Sequence, residues 1–331
     1  MFVLSIFQVT KNWEYEEVLA DLNQSIRKAI KRESLIEEIQ LSINDSKFDE
    51  ARIFIAIAKA SKLFNDSSSY TLIDLKKLEL EIKQKDTVLR QIVSQTSSFA
   101  NGFIQGKSPS AAGIAGSVVA DFTVIGDIRD LKKEYDNYEK GQDVNELIVG
   151  LSGAGIGLTA LTLSTKGLVA PVKTGISVMK VAAKTQRISR SFQRYLVKLG
   201  RDVFDWPLFS RGIKNNKSLS NIRKFASQAY NPNAIQPLEK IAKRVNVIRK
   251  STSTMDAVNL LKYIDTPKDL IQLEKISLKY GTKTKGMMKL LGKSALRTVR
   301  VLQKTLILML SLLSGLLSGL FSLFLLFSRK I

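Results

Sequence analysis

Three charged side chains close together offer the first candidate chemistry: Asp127, Arg129 and Asp130, in the run Gly126-Asp127-Ile128-Arg129-Asp130-Leu131. Two carboxylates bracketing a guanidinium at a turn can bind a partner or, inside a membrane, a proton or an ion. The plainer reading is structural: Gly126 breaks one helix, Asp127 caps the next and Arg129 pairs with a neighbouring carboxylate. Asp121, at the end of an apolar segment, has the same two readings. Two Gly-Lys-Ser triplets, Gly106-Lys107-Ser108 and Gly292-Lys293-Ser294, invite comparison with a phosphate loop. Such a loop needs a further glycine five positions earlier, so that successive N–H groups curl round the phosphates. Asn101 and Met287 stand there instead, and no β-branched strand run precedes either triplet. The chain also has no cysteine and no histidine. That removes Ser-His-Asp and Cys-His catalysis, thiolate nucleophiles and the usual zinc and haem ligands, all of which need a soft ligand or a group titrating near neutrality. No catalytic residue, metal site or cofactor is expected, and the chain reads as non-enzymatic.

The elements that must position these residues are helices. Over 13–100, Val18, Leu19, Leu22, Ile26 and Ile30 share one helical face, and Leu35, Ile36, Ile39 and Ile43 continue in a second segment. Asn44-Asp45-Ser46 breaks the pattern, Phe48 to Leu63 resumes it, and Leu72, Leu75, Leu78 and Leu80 open a further helix. Residues 101–184 form a glycine-rich hairpin region: the small-residue run SPSAAGIAGSVVA at 108–120, an acidic helix to about Glu139, then LIVGLSGAGIGLTALTLST at 147–165 without a charge. Gly150, Gly153, Gly155 and Gly157 weaken that last helix but permit close packing, either in a protein core or dipping into the membrane. Residues 185–304 are basic. Arg187, Arg190 and Arg194 fall on one face beside Phe192, Tyr195 and Leu196, as suits a helix lying on anionic lipid or a solvated surface. Two helices flank Asp265-Thr266-Pro267, with Leu260, Leu261 and Ile264 set against Leu270, Leu273 and Ile276.

The chain closes on TLILMLSLLSGLLSGLFSLFLLF at 305–327, 23 residues without a charge. At 1.5 Å per residue a helix of that length crosses a hydrocarbon core of roughly 30 Å, so a transmembrane helix is expected. Ser311, Gly315 and Gly319 recur every four residues, the spacing of small-residue contacts between helices in lipid, and imply self-association or packing on another intramembrane segment. Eight basic residues and no acid occupy 279–304, against Arg329 and Lys330 beyond the span. This asymmetry puts the bulk of the chain on the cytoplasmic side.

The net charge of +21 is uneven: residues 1–150 carry 19 basic and 23 acidic side chains, residues 151–331 carry 32 and 7. A basic region running into a span is drawn to anionic lipid. Lys285, Lys289, Lys293, Arg297, Arg300 and Lys304 are therefore expected to face lipid headgroups. Nucleic acid would feel the same charge, but the region has few aromatic residues for base stacking, so membrane is the expected partner. The opening MFVLSIFQV is too short for a span or a signal peptide. It is either a hydrophobic staple for the following helix or the remnant of a longer start.

The run from Gly102 to Lys184, with weaker stretches at 48–61 and 256–302, resembles a family of proteobacterial membrane proteins without an assigned activity. The shared features are the small-residue segment, the GD-x-RD-L element (Gly126, Asp127, Arg129, Asp130, Leu131), the glycine-rich apolar helix and a late LLGK-x-ALR element (290–293 and 295–297). The hairpin is also similar to the linker helices that precede toxin domains in polymorphic toxins. The resemblance implies a bacterial inner-membrane location and no particular chemistry.

The expected protein is thus all-α, with a helical N-terminal domain (1–100), small-residue helical hairpins (101–184), basic membrane-proximal helices (185–304) and a transmembrane helix (305–327). Its expected role is a tail-anchored scaffold or envelope-associated component, working through protein and anionic-lipid contacts. The rival expectation is a pore-forming or transport element in which 108–165 also inserts.

Overall fold

A computed structural model describes residues 15–64, 69–95, 124–162, 169–302 and 313–321. The opening apolar run, the first Gly-Lys-Ser triplet, the segment 108–120, Asp121, Lys304 and Ser311 lie outside the described residues. So does most of the proposed span. The chain divides into two compact units, Asp21–Leu296 and the terminal pieces 1–20 with 297–331.

The described elements of the larger unit are helices: α1 (Leu22–Ala29), α2 (Arg32–Asn44), α3 (Phe48–Ala60), α4 (Ser69–Gln95), α5 (Val124–Glu139), α6 (Glu146–Thr162), α7 (Ala170–Lys184), α8 (Arg190–Val203), α9 (Trp206–Ile213), α10 (Leu219–Ala229), α11 (Gln236–Ser251), α12 (Thr254–Leu260), α13 (Pro267–Tyr280) and α14 (Lys283–Leu291). The all-α expectation holds here. In the terminal unit β1 (Tyr15–Leu19) pairs antiparallel with β2 (Thr298–Leu302), in register from Tyr15 opposite Leu302 to Leu19 opposite Thr298. This ribbon corrects the expectation of helix at Val18 and Leu19 and around Arg300. Two local causes act together: Thr298, Val299 and Val301 are β-branched and suit a strand, and Asp21 caps α1 by accepting from the Asn23 N–H, so the helix starts at Leu22.

Helix starts in the second half follow cap chemistry. Ser189, Asp205, Ser218 and Ser253 each accept a backbone N–H at the helix entrance. Thr266 and Asp269 form a reciprocal capping box with Pro267 at the first position. Leu260, Leu261, Ile264, Leu270, Leu273 and Ile276 are all buried, as their spacing predicts. Packing crosses the composition boundaries at 100/101 and 184/185: α14 packs on α1 and α3, and α7 packs on α11 and α12.

α6 is enclosed by α5, α7, α8 and α10; residues 147–158 are buried without a break. A helix apolar on all faces has no preferred side, so side-chain size must fix its rotation. Gly150 lies against the backbone of Gly200 in α8, while Gly153 and Gly157 leave room for the rings of Phe204 and Tyr230. α7 uses one glycine in the same way, Gly175, which lies against the backbone of Ala242 in α11. A methyl group there would overlap a carbonyl that cannot rotate away. Alanine is the better helix former by about 1 kcal/mol, whereas overpacking of a dense interior costs about 1–3 kcal/mol. Gly175→Ala should therefore lower stability by up to about 2 kcal/mol in urea denaturation of the full chain in non-ionic detergent; raised stability would contradict this helix contact.

Candidate functional site

Gly126 begins no turn. Val124–Glu139 is one continuous helix, so Asp127, Arg129 and Asp130 stand on its first turns. The helix separates them: Asp127 and Asp130 face inward and are buried, whereas the Arg129 side chain is 58% exposed. The expected pairing of Arg129 with a neighbouring carboxylate survives as a 3.7 Å contact to Asp130. The main partner of both carboxylates is a residue the sequence reading passed over. Lys180, in the middle of α7, has no exposed surface, and its ammonium donates to Asp127 Oδ1 at 2.5 Å and lies 2.8 Å from Asp130 Oδ2. Lys184, one turn on, donates to Asp130 Oδ1 at 2.9 Å. Glu134, the next carboxylate inward along α5, accepts the Asn145 N–H at 2.8 Å and an Asn137 amide N–H.

This cluster joins α5 to α7 beside α6, and Gly155 of α6 makes room for it: a Cβ at that position would overlap the Asp127 carboxylate. Burial pushes the Asp127 carboxyl up to about 6, in spite of Lys180. For Asp130 burial acts the same way, but Lys180 and Lys184 together outweigh it and hold its carboxyl below the ordinary value. Lys180 is disfavoured as a cation by burial, yet Asp127 and Asp130 hold it above the ordinary lysine value. A lysine held protonated is no nucleophile. The arrangement is an ionic clamp, with Asp127 the member that takes up a proton first.

Outside the clamp, a cleft of about 790 Å³ is walled by α5, the start of α6, the end of α7 and the start of α8. Arg129, Lys133, Lys184 and Arg190 line it, with Gln186 and Gln193. A second cleft, about 890 Å³, is lined by Trp206, Pro207 and Tyr230 among others. The Tyr230 hydroxyl is buried there, and burial pushes its phenol up to about 12, so it is a neutral group.

The basic residues expected to face lipid divide. Lys289 donates to Glu50 at 2.7 Å, lies 2.9 Å from Glu38 and sits over the Phe54 ring. Lys285 is 3.4 Å from Asp256 and 3.8 Å from Glu50, and Lys293 pairs with Asp265. These three, each still partly exposed, tie α14 and the turn after it to carboxylates of the same unit. Burial works against the Lys289 charge, but Glu50 and Glu38 outweigh it and raise its pKa. Arg297 is exposed; the Arg300 side chain and Lys304 are outside what is described. The second Gly-Lys-Ser triplet is a 3₁₀ turn in which Ser294 donates to the Leu291 carbonyl, not a phosphate cradle. On α8, Phe192, Leu196, Leu199 and Val203 are buried while Arg190, Arg194, Lys198 and Arg201 are exposed.

Comparison with known protein families, with curated proteins and with solved structures found no match. Function is therefore argued from these residues.

The sign of each pH effect follows from the clamp. Asp127 binds its proton more tightly in the folded chain, so its contribution is full below the ordinary carboxylate value and is lost as pH rises through about 6. Asp130, with a lowered pKa, contributes above its ordinary value, and that contribution is lost as pH falls through the lowered one. Lys180→Met leaves Asp127 buried without its counter-charge and Asp130 with only Lys184 and Arg129, which should cost about 3–5 kcal/mol at pH 8. At pH 5 Asp127 can stay protonated, and the cost should shrink by at least about 1 kcal/mol, one pKa unit's worth. Urea denaturation at the two pH values measures this; equal costs would show that the cluster is not ionised in the folded chain.

Proposed function

We propose that the chain is a tail-anchored, non-enzymatic membrane protein whose helical unit serves as a scaffold at an anionic cytoplasmic surface. The observation that carries this reading is the character of the closing segment. Within 305–327 no residue is charged. In the described part, 313–321, the backbone is helical, and Leu313, Leu316, Leu317, Leu320 and Phe321 are each more than half exposed. Five large apolar side chains on nine residues of one helix are thus mostly exposed, and lipid is the solvent that suits them. No helix among the described residues is long and apolar enough to cross a membrane, so the reading rests on the whole 23-residue stretch of sequence. A bacterial inner-membrane location is what the family resemblance implies.

Gly315 and Gly319 lie one helical turn apart in the described part and support self-association through the anchor, with Ser311 extending the same face in sequence. Anionic-lipid contact falls to Arg297, Arg300 and Lys304, the basic residues nearest the span. The pore-forming alternative would move α6 from its protein neighbours into lipid, which weighs against it because Gly150, Gly153, Gly155 and Gly157 each fit a specific protein group.

The full chain should pellet with membranes after high-speed centrifugation and resist carbonate extraction, whereas deletion of 305–327 should release most of it to the supernatant. Lys140→Cys and Lys214→Cys, each the only thiol in its chain, should both label from the cytoplasmic side. A full chain in the supernatant would overturn the anchor, and labelling from opposite sides would overturn the single pass.

A further inference from the structure

We infer that the hairpin of α9 and α10 is a second membrane contact, lying on an anionic bilayer with Leu208 and Leu219 among the acyl chains and Arg211, Lys214, Arg223 and Lys224 at the headgroups. Both helices turn one face into a shared core, through Phe209 and Ile213 of α9 and Ile222, Ala226 and Ala229 of α10. The opposite faces look outward. On α9 that face carries Leu208, Arg211 and Lys214 in succession; on α10 Leu219 and Arg223 stand one turn apart, with Lys224 beside them. Leu219 is 62% exposed and Leu208 38%.

Charge complementarity names the partner. Residues 206–238 hold five basic side chains and no acid. Lys217 pairs with Glu139 and Asp136 of α5. The other four are exposed and make no ion pair among the described residues. The carboxylates that flank the stretch in sequence have their own partners: Asp205 accepts the Leu208 N–H as the cap of α9, and Glu239 pairs with Lys243.

One exposed leucine by itself means little. Elsewhere in the unit, exposed Leu80 and Tyr138 directly adjoin carboxylates, which an anionic surface repels, whereas the residues around Leu219 are basic or uncharged. Exposed apolar groups set among unpaired cations are the pattern of an interfacial element: the apolar groups enter the acyl boundary while the cations meet lipid phosphates. No pocket is needed, because the bilayer presents a continuous negative plane. Nucleic acid would engage the cations but leave the leucines in water.

The inference rests on the membrane setting proposed above, and its test separates the two. The full chain carrying Leu219→Cys, its only thiol, is labelled with the fluorophore NBD and reconstituted into vesicles of phosphatidylcholine, or of phosphatidylcholine and phosphatidylglycerol in equal parts. In the anionic vesicles NBD emission should shift to the blue, rise about twofold or more and be quenched by nitroxide-labelled lipid; in the neutral vesicles it should not. Arg211→Ala, Lys214→Ala, Arg223→Ala and Lys224→Ala together should remove the response. Lys76→Ala, Lys77→Ala, Lys240→Ala and Lys250→Ala together, an equal loss of exposed charge from α4 and α11, should keep it. The same response in both vesicle types, none in either, or an equal loss in the two variants would overturn the hairpin contact, as would an equal response to duplex DNA in detergent. Carbonate extraction of each sample reads the anchor independently: a retained chain with a silent label sinks only the hairpin, and a released chain with a responding label sinks only the anchor.

Discussion

An ammonium group with no exposed surface is costly, and this fold tolerates one only because two carboxylates meet it. Lys180 brings a charge into the middle of the helical unit, where desolvation takes several kcal/mol per ion and is offset only by close, well-directed partners. Asp127 and Asp130 supply them at 2.5 and 2.8 Å, and Lys184 balances the second carboxylate. Replacing buried ions by apolar groups of similar volume is often neutral or stabilising, so the clamp's contribution is read in its geometry rather than in net stability. It adds register. Asp127 reaches Lys180 only where Gly155 leaves space, so one rotation of α6, one level of α5 and one level of α7 satisfy the contact together.

That matters because hydrophobicity leaves α6 undetermined. Its faces are equally apolar, and burial alone would accept it in any rotation. The alternatives differ in which side chains meet backbone. Gly150 against Gly200 and Gly175 against Ala242 mark places where two helices come closer than any side chain allows. A rotated α6 would put a side chain in place of Gly150 against the Gly200 backbone and in place of Gly155 against the Asp127 carboxylate. Steric steps and one ionic contact thus decide together what the apolar pattern cannot.

Local features of the fold were legible in the sequence and long-range charge pairing was not. The helix around Leu260 to Ile276 is written in its spacing and its Thr266-Pro267-Asp269 cap, because caps and faces are decided within one or two turns. Asp127 and Asp130 were legible as a pair with two readings, but their partner stands 53 residues on, beyond any local pattern. A signal did exist: Asp127, Asp130 and Glu134 fall at i, i+3 and i+7 on α5, while Lys173, Lys180 and Lys184 interrupt an otherwise apolar face of α7 at i, i+7 and i+11. Lysines spaced that way on an apolar helix need carboxylates, and the nearest helix with a matching inward row is α5. The ribbon at Tyr15–Leu19 was missed for a different reason. Its residues fit a helical face in projection, and only a strand 283 positions later makes the extended form worthwhile.

Counting charge by halves of the chain has a related weakness, because it treats the two halves as if they did not touch. Lys285, Lys289 and Lys293 stand near the proposed anchor in sequence, but Glu38, Glu50, Asp256 and Asp265 neutralise them locally. Such pairs present a short-ranged field that is screened within about 10 Å at ordinary ionic strength. Pairing does not alter the total of +21; it moves the unbalanced charge elsewhere. Among the described residues α8 carries part of it: Arg190, Arg194 and Lys198 follow one another along the exposed face while Phe192 and Leu196 anchor the other side in the core. An arginine row on a rigid, buried-face helix keeps its spacing under load, which a flexible basic tail does not. Where the unbalanced charge lies is therefore decided by the ion pairs of the folded unit, which counting along the sequence does not read.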